Sequence, residues 1–298
     1  MNGWAAFALH LAIATAIASG VMVQAGRTAR RRPETRKALP MMFPWLDEQR
    51  TYANAVSIAR YALTQPTVWA VWVFASAPAV AAILVSLVGD GESDLGSLIG
   101  RLSPVADGAD GRAAAVTYAV IVAVFVVVSA CYLRVANAAE PLPPVMRGRS
   151  RPQVWARLTG GMFVDEGGSL EELGWRAFSL PALVVATGSL WWSTIVLAVS
   201  WWAWHLPREV PALRRRPDWK RFVTLQAQFV WLCLGLSVLM TVAWRHTGSV
   251  WPAVMIHGGT NVWSKAIGAP MWARAERDVR TDIVTVLAVV AVLAEVIV

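Results

Sequence analysis

The sequence predicts an all-α, polytopic integral membrane protein with about eight transmembrane helices, and three observations carry that expectation. Of the 298 residues, 56% are hydrophobic and only 15% charged, with a mean hydropathy of +0.49. A soluble domain of this length needs more charge to cover its surface. The apolar residues also fall in long blocks, several of them approaching or exceeding the roughly 20 residues that a helix needs to cross a bilayer. Finally, the blocks are continuous rather than alternating. That argues for helices over a barrel, the other structure that satisfies its backbone within lipid.

The expected spans are, in order, Trp4–Ala25, Thr67–Val88, Ala113–Leu133, Glu171–Ala186, Ser189–Leu206, Phe222–Trp244, Ser249–Ile267 and Ile283–Val298. The fourth is short and polar at its start. The charges between spans test the count independently. The first loop carries Arg27, Arg30, Arg31, Arg32, Arg36 and Lys37, and the second is acidic, with Asp90, Glu92, Asp94, Asp107 and Asp110 against Arg101 and Arg112. The third is basic again through Arg147, Arg149, Arg151 and Arg157, and the fourth is an uncharged turn. The fifth holds Arg208, Arg214, Arg215, Arg216, Lys220 and Arg221. The sixth has only Arg245 and His246, and the seventh has Arg274, Arg277 and Arg280. Basic loops alternate with non-basic ones, as the positive-inside rule requires of eight spans with both termini outside.

The first span lacks a positive flank before it, so it reads as a retained helix rather than a signal peptide. No lipidation motif is visible at either end. Within the first loop, Asp47–Leu63 spaces Tyr52, Val56, Ala59 and Leu63 at helical intervals, which suits an amphipathic helix on the cytoplasmic surface as well as it suits a solvated linker. The chain then divides into an N-terminal membrane region, residues 1–150, with spans one to three and the basic linker 27–66, and a second region, residues 151–298, with spans four to eight. Together they form one membrane domain.

The net charge of +8 and the pI near 10.3 fit cationic loops that hold topology and meet anionic headgroups. No basic stripe on a soluble module suggests a nucleic-acid partner. Cys131 and Cys233 lie inside apolar spans and read as buried small hydrophobes, not as a disulfide or metal knuckle.

Polar residues inside membrane spans are costly and mark function by default. Three clusters qualify: Glu171-Glu172-Leu173-Gly174-Trp175-Arg176 opening span four, Trp201 to His205 closing span five, and His257 to Asn261 inside span seven. Glu172 and Arg176 stand four apart with the acid first, the favourable order for an ion pair. Glu171 lies about 100° around the helix and is free for chemistry. His257 and Asn261 share a face and offer two hydrogen-bond donors, an oxyanion site. Span four starts inside while spans five and seven run inward, so all four groups can meet in the cytoplasmic half of the bilayer. Each cluster alone has a plainer reading: an acidic helix start, an interfacial histidine beside Trp204, or interhelical glue. His10 is isolated in span one and reads as structural, while His246 is left unassigned.

These residues resemble the CPBP family, the type II CAAX prenyl endopeptidases and bacteriocin-processing or immunity proteins, marked by EExxxR, FxxxH and HxxxN motifs. They stand here as Glu171–Arg176, Trp201–His205 and His257–Asn261, over roughly Phe163 to Ile267. Trp201 departs from the common Phe, and the larger ring narrows the expected cavity. The resemblance implies an intramembrane endopeptidase in a prokaryotic plasma membrane, opening to the cytoplasm and cutting a membrane-associated peptide or protein substrate. Its implied substrates are CAAX-type or leader-peptide proteins. Glu171 and His205 would activate water, His257 and Asn261 would hold the oxyanion, and Glu172 with Arg176 would brace the helix, with Trp201 in support. Glu171, His205 and His257 could ligate Zn2+, and the same groups serve a metal-free glutamate mechanism. A non-catalytic binding, immunity or accessory protein is the alternative. A transporter would need internal repeats and charges along several helices, which are not evident.

Overall fold

The computed structural model describes residues 1–31, 38–137, 142–143, 145–215, 218–268 and 279–297. The expected basic residues Arg32, Arg36, Lys37, Arg216, Arg274 and Arg277, and the last residue of the eighth span, lie outside the described residues. Every described element is helical.

The chain opens with α1 (Gly3–Arg31), then two short helices, α2 (Ala38–Glu48) and α3 (Ala55–Thr64). A 3-10 turn leads into α4 (Trp69–Ser86), and α5 (Leu95–Gly100) lies in the acidic connection before α6 (Gly111–Ala136). Next come α7 (Arg151–Val164), a π-helical turn over Gly167–Glu171, the single turn α8 (Glu172–Gly174), a second π-turn over Trp175–Ser179, and α9 (Leu180–Thr187). The bundle closes with α10 (Leu190–Arg215), α11 (Trp219–Thr247), α12 (Trp251–Val262) with a terminal π-turn, and α13 (Val279–Ile297).

Among the described residues, four helices are long and apolar enough to cross a membrane: Gly3–Arg31, Pro66–Ser86, Gly111–Arg134 and Trp219–Thr247. They coincide with expected spans one, two, three and six. Their outer faces are apolar, as with Val116, Val120 and Val127 on α6 and Leu84 on α4. Such broad exposed hydrocarbon is what lipid, not water, accommodates. The chain is an integral membrane protein.

Two large cores hold the bundle. One joins α1, α4, α10 and α11 around Phe7, Phe74, Trp175, Trp201, Trp204 and Met240. The other joins α6, α7 and α12 around Phe125, Leu158, Met162, Val262 and Trp263. Two glycines make the central contacts possible. A Cβ on Gly174 would run into the backbone of Pro78, and one on Gly258 would run into the carbonyl of Met162. Without side chains there, α8 seats on α4 and α12 on α7 at backbone distance.

Two expectations need correction. Over Asp47–Leu63, which suits a helix or a linker, the amphipathic helix begins only at Ala55, because Asn54 and Ser57 form a reciprocal cap that starts it there. Tyr52 lies outside it, buried against α7, and the inward face is Ile58, Tyr61 and Ala62, while Val56 and Leu63 point outward. Cys233 is buried as expected, but Cys131 is exposed. It sits on α6, whose outer face meets no other helix and so turns small apolar groups to the surroundings. His10 is buried between elements: Nε2 lies 2.9 Å from the Pro78 carbonyl and Nδ1 lies 2.9 Å from the Ser179 hydroxyl.

Candidate active site

The site begins where α7 ends. Asp165 leaves the helix with extended backbone, and its carboxylate accepts the amide of Gly168 at 3.0 Å while its carbonyl accepts the amide of Ser169 at 2.9 Å. This is an N-cap arrangement, which restarts the helix. The restarted segment is wound as a π-turn, a widened geometry common at functional sites, and Glu171 is its last residue. A side chain on Gly167 would meet Nε2 of His257 and Nδ2 of Asn261, so this glycine lets both groups approach the backbone beside Glu171.

Glu171 accepts a hydrogen bond from Nε1 of Trp201 at 2.8 Å. One turn on, Nδ1 of His205 lies 2.8 Å from the carbonyl of Trp201. A carbonyl only accepts, so Nδ1 carries the proton and Nε2 is left as the basic nitrogen. That Nε2 faces Oε2 of Glu171 at 3.9 Å. Aromatic rings enclose the histidine: Trp204 and Phe229 stand edge-on with ring centroids at 4.8 and 5.0 Å. Two buried acceptors thus converge with a gap suited to one water that donates to both.

Glu172 points the other way. Both its oxygens accept from Nη1 of Arg176, at 3.0 and 2.8 Å, and neither side chain has any exposure. Arg176 also donates to Ser237 on α11 at 2.7 Å and lies over the Trp201 ring at 4.5 Å from its centroid. Glu172 has a second partner that sequence spacing did not indicate: Nδ1 of His257, 2.6 Å from Oε1. It therefore joins the first and third motifs directly.

Asn261 differs from expectation as well. Its Nδ2 donates to Asp165 at 2.7 Å, and His257 has one nitrogen engaged by Glu172, so the two are not a pair of free donors. What faces the cavity is Nε2 of His257 and the remaining hydrogen of the Asn261 amide. Asp165 also accepts Nζ of Lys265 at 2.7 Å, and the same ammonium reaches Glu166 at 2.6 Å. Asp165, Glu166 and Lys265 were not singled out from the sequence, since nothing in their local spacing ties α7 to the end of α12.

One cavity of about 610 Å³ is lined at its polar end by Glu171, His205, His257, Asn261 and Lys265. Met22, Val71, Phe74, Leu225, Phe229 and Leu232 add apolar surface to the lining, beside Arg208, Glu209, Gln226 and Gln228. Trp201 does replace an expected Phe, but its extra ring reaches Glu171 instead of only narrowing the space. Among the described residues, no three His, Cys, Asp or Glu side chains gather as a metal-binding group. The donors of Glu171, His205 and His257 do not converge on one ion position as they stand.

Comparison with known families matches residues 154–263 to the model described as Type II CAAX prenyl endopeptidase Rce1-like. The match runs from α7 to the π-turn after α12 and supports a CPBP-family membrane protease. No curated protein matches the chain.

Proposed function

We propose that this membrane protein, whose α7–α12 segment matches the CAAX endopeptidase model, hydrolyses a peptide bond of a membrane-associated substrate inside the cavity. One observation carries the reading: Oε2 of Glu171 and Nε2 of His205 face each other at 3.9 Å in the cavity that His257 and Asn261 also line. A water accepted there donates one hydrogen to each. Glu171 takes a proton as general base, and the oxygen attacks the scissile carbonyl. Negative charge then develops on the carbonyl oxygen. Nε2–H of His257, protonated against the Glu172 carboxylate, and the free amide hydrogen of Asn261 stabilise that charge. Glu171 returns its proton to the leaving amine, so that water and peptide become acid and amine with no other reactant.

The apolar part of the lining gives a lipid-anchored or strongly apolar segment a place beside this chemistry, which favours CAAX-type or leader-peptide substrates. In this reading the chain crosses the membrane eight times with both termini outside. Residues 1–150 form the entry wall, and residues 151–298 carry the motifs in the cytoplasmic half of the bilayer. The charge alternation between spans supports that arrangement. The test is cleavage of prenylated and unmodified CAAX-type peptides by purified protein in liposomes. Products that vanish with Glu171→Ala support the reading. Equal cleavage by that variant, or no products from wild type, removes it.

A further inference from the structure

Another cavity lies away from the active site, between α2–α3 and α7, with a volume of about 310 Å³. Arg60 of α3 and Arg157 of α7 line it from opposite elements, and both are exposed. Gln49 and Thr51 add uncharged donors to the lining. Two exposed guanidinium groups facing one groove, with uncharged donors between them, make a site for a phosphate.

The surroundings say which phosphate. Phe43, Val56 and Leu63 on α2 and α3 are 64%, 55% and 76% exposed, and Val56 belongs to the groove wall itself. Apolar side chains beside arginines on short helices are the pattern of an element lying in the membrane interface, with hydrocarbon below and headgroups level with the charges. A soluble anion would need the arginines but not the apolar flank. We propose that this groove binds the phosphate of an anionic membrane lipid.

The floor of the groove is part of the bundle. The Tyr52 hydroxyl donates to the carbonyl of Arg157 at 3.3 Å, and its phenol fills the space where Gly161 lacks a side chain, next to Val262 at the end of α12. A lipid seated here therefore presses on α7 and α12, the helices that carry Asp165 and Asn261.

The test needs no protease substrate and so stands or falls apart from the proposed activity. Full-length protein in neutral detergent is titrated with phosphatidylglycerol, phosphatidylcholine or inorganic phosphate, with binding read by native mass spectrometry and stability by thermal unfolding. Wild type should bind phosphatidylglycerol in preference to phosphatidylcholine and melt higher with it. The double variant Arg60→Gln/Arg157→Gln should lose about tenfold or more in phosphatidylglycerol affinity, while Arg112→Gln/Arg245→Gln should not. Unchanged affinity in the groove variant would overturn the site. Inorganic phosphate producing the same shift would overturn the lipid as its ligand.

Discussion

Nε1 of Trp201 donates to Oε2 of Glu171 over 2.8 Å, so the aromatic one turn before His205 grips the carboxylate that we propose as base. A phenylalanine would fill the wall without making this bond. Trp201→Phe should fold and insert normally but cleave about tenfold more slowly, in line with about 1.5 kcal/mol for a hydrogen bond to a charged group. Cleavage rate at matched thermal stability checks this, and an unchanged rate would leave Trp201 as packing alone.

Glu172 and Arg176 form a pair with no exposure at all. Removing either partner leaves a buried charge uncompensated, which costs about 3–5 kcal/mol. Glu172→Ala and Arg176→Ala should each melt well below wild type in detergent. Glu172→Ala should also lose activity, because the group that holds His257 at 2.6 Å disappears. Normal melting of both variants would argue against the pair as the brace of this segment.

Asp165 meets Asn261 at 2.7 Å and orients the amide that we assign to the oxyanion. Effects that act through one group are not additive. Asp165→Asn should therefore slow cleavage in wild type and do little more in an Asn261→Ala background. Equal effects in both backgrounds would separate Asp165 from the chemistry.

The water-activating pair is complete without a metal in the mechanism we derive. Prolonged dialysis against a strong chelator should leave cleavage within about twofold of its starting rate, since zinc-dependent hydrolysis depends on the ion to activate its water. Loss of activity that added Zn2+ restores would instead make Glu171, His205 and His257 ligands that rearrange around the ion.

Spans one, two, three and six were legible because lipid demands long apolar runs, and these are written locally. The Glu172–Arg176 pair was legible for the same reason: four residues apart is a contact wherever the chain stays helical. The second partner of Glu172 was not, since His257 lies 85 positions away and only packing brings it near. The Asp165–Lys265 contact spans 100 positions and was hidden likewise. The π-turns at Gly167–Glu171 and Trp175–Ser179 were also unreadable, because widened winding has no residue pattern of its own. On α3, period alone picked out Val56 and Leu63 as a stripe but did not tell whether it turned toward protein or away. The cap at Asn54 and the burial of Ile58 and Tyr61 decided that.

In the mechanism we propose, everything depends on Glu171 activating water for peptide hydrolysis in the membrane. The most direct test compares peptide termini in membranes from host cells carrying wild-type protein with those carrying Glu171→Gln at matched expression, read by mass spectrometry. Termini that occur only with wild type, clustered at one kind of site near a membrane anchor or apolar segment, are expected. Identical sets of termini across well-covered membrane proteins would contradict this mechanism and point to a binding or accessory role for the same cavity.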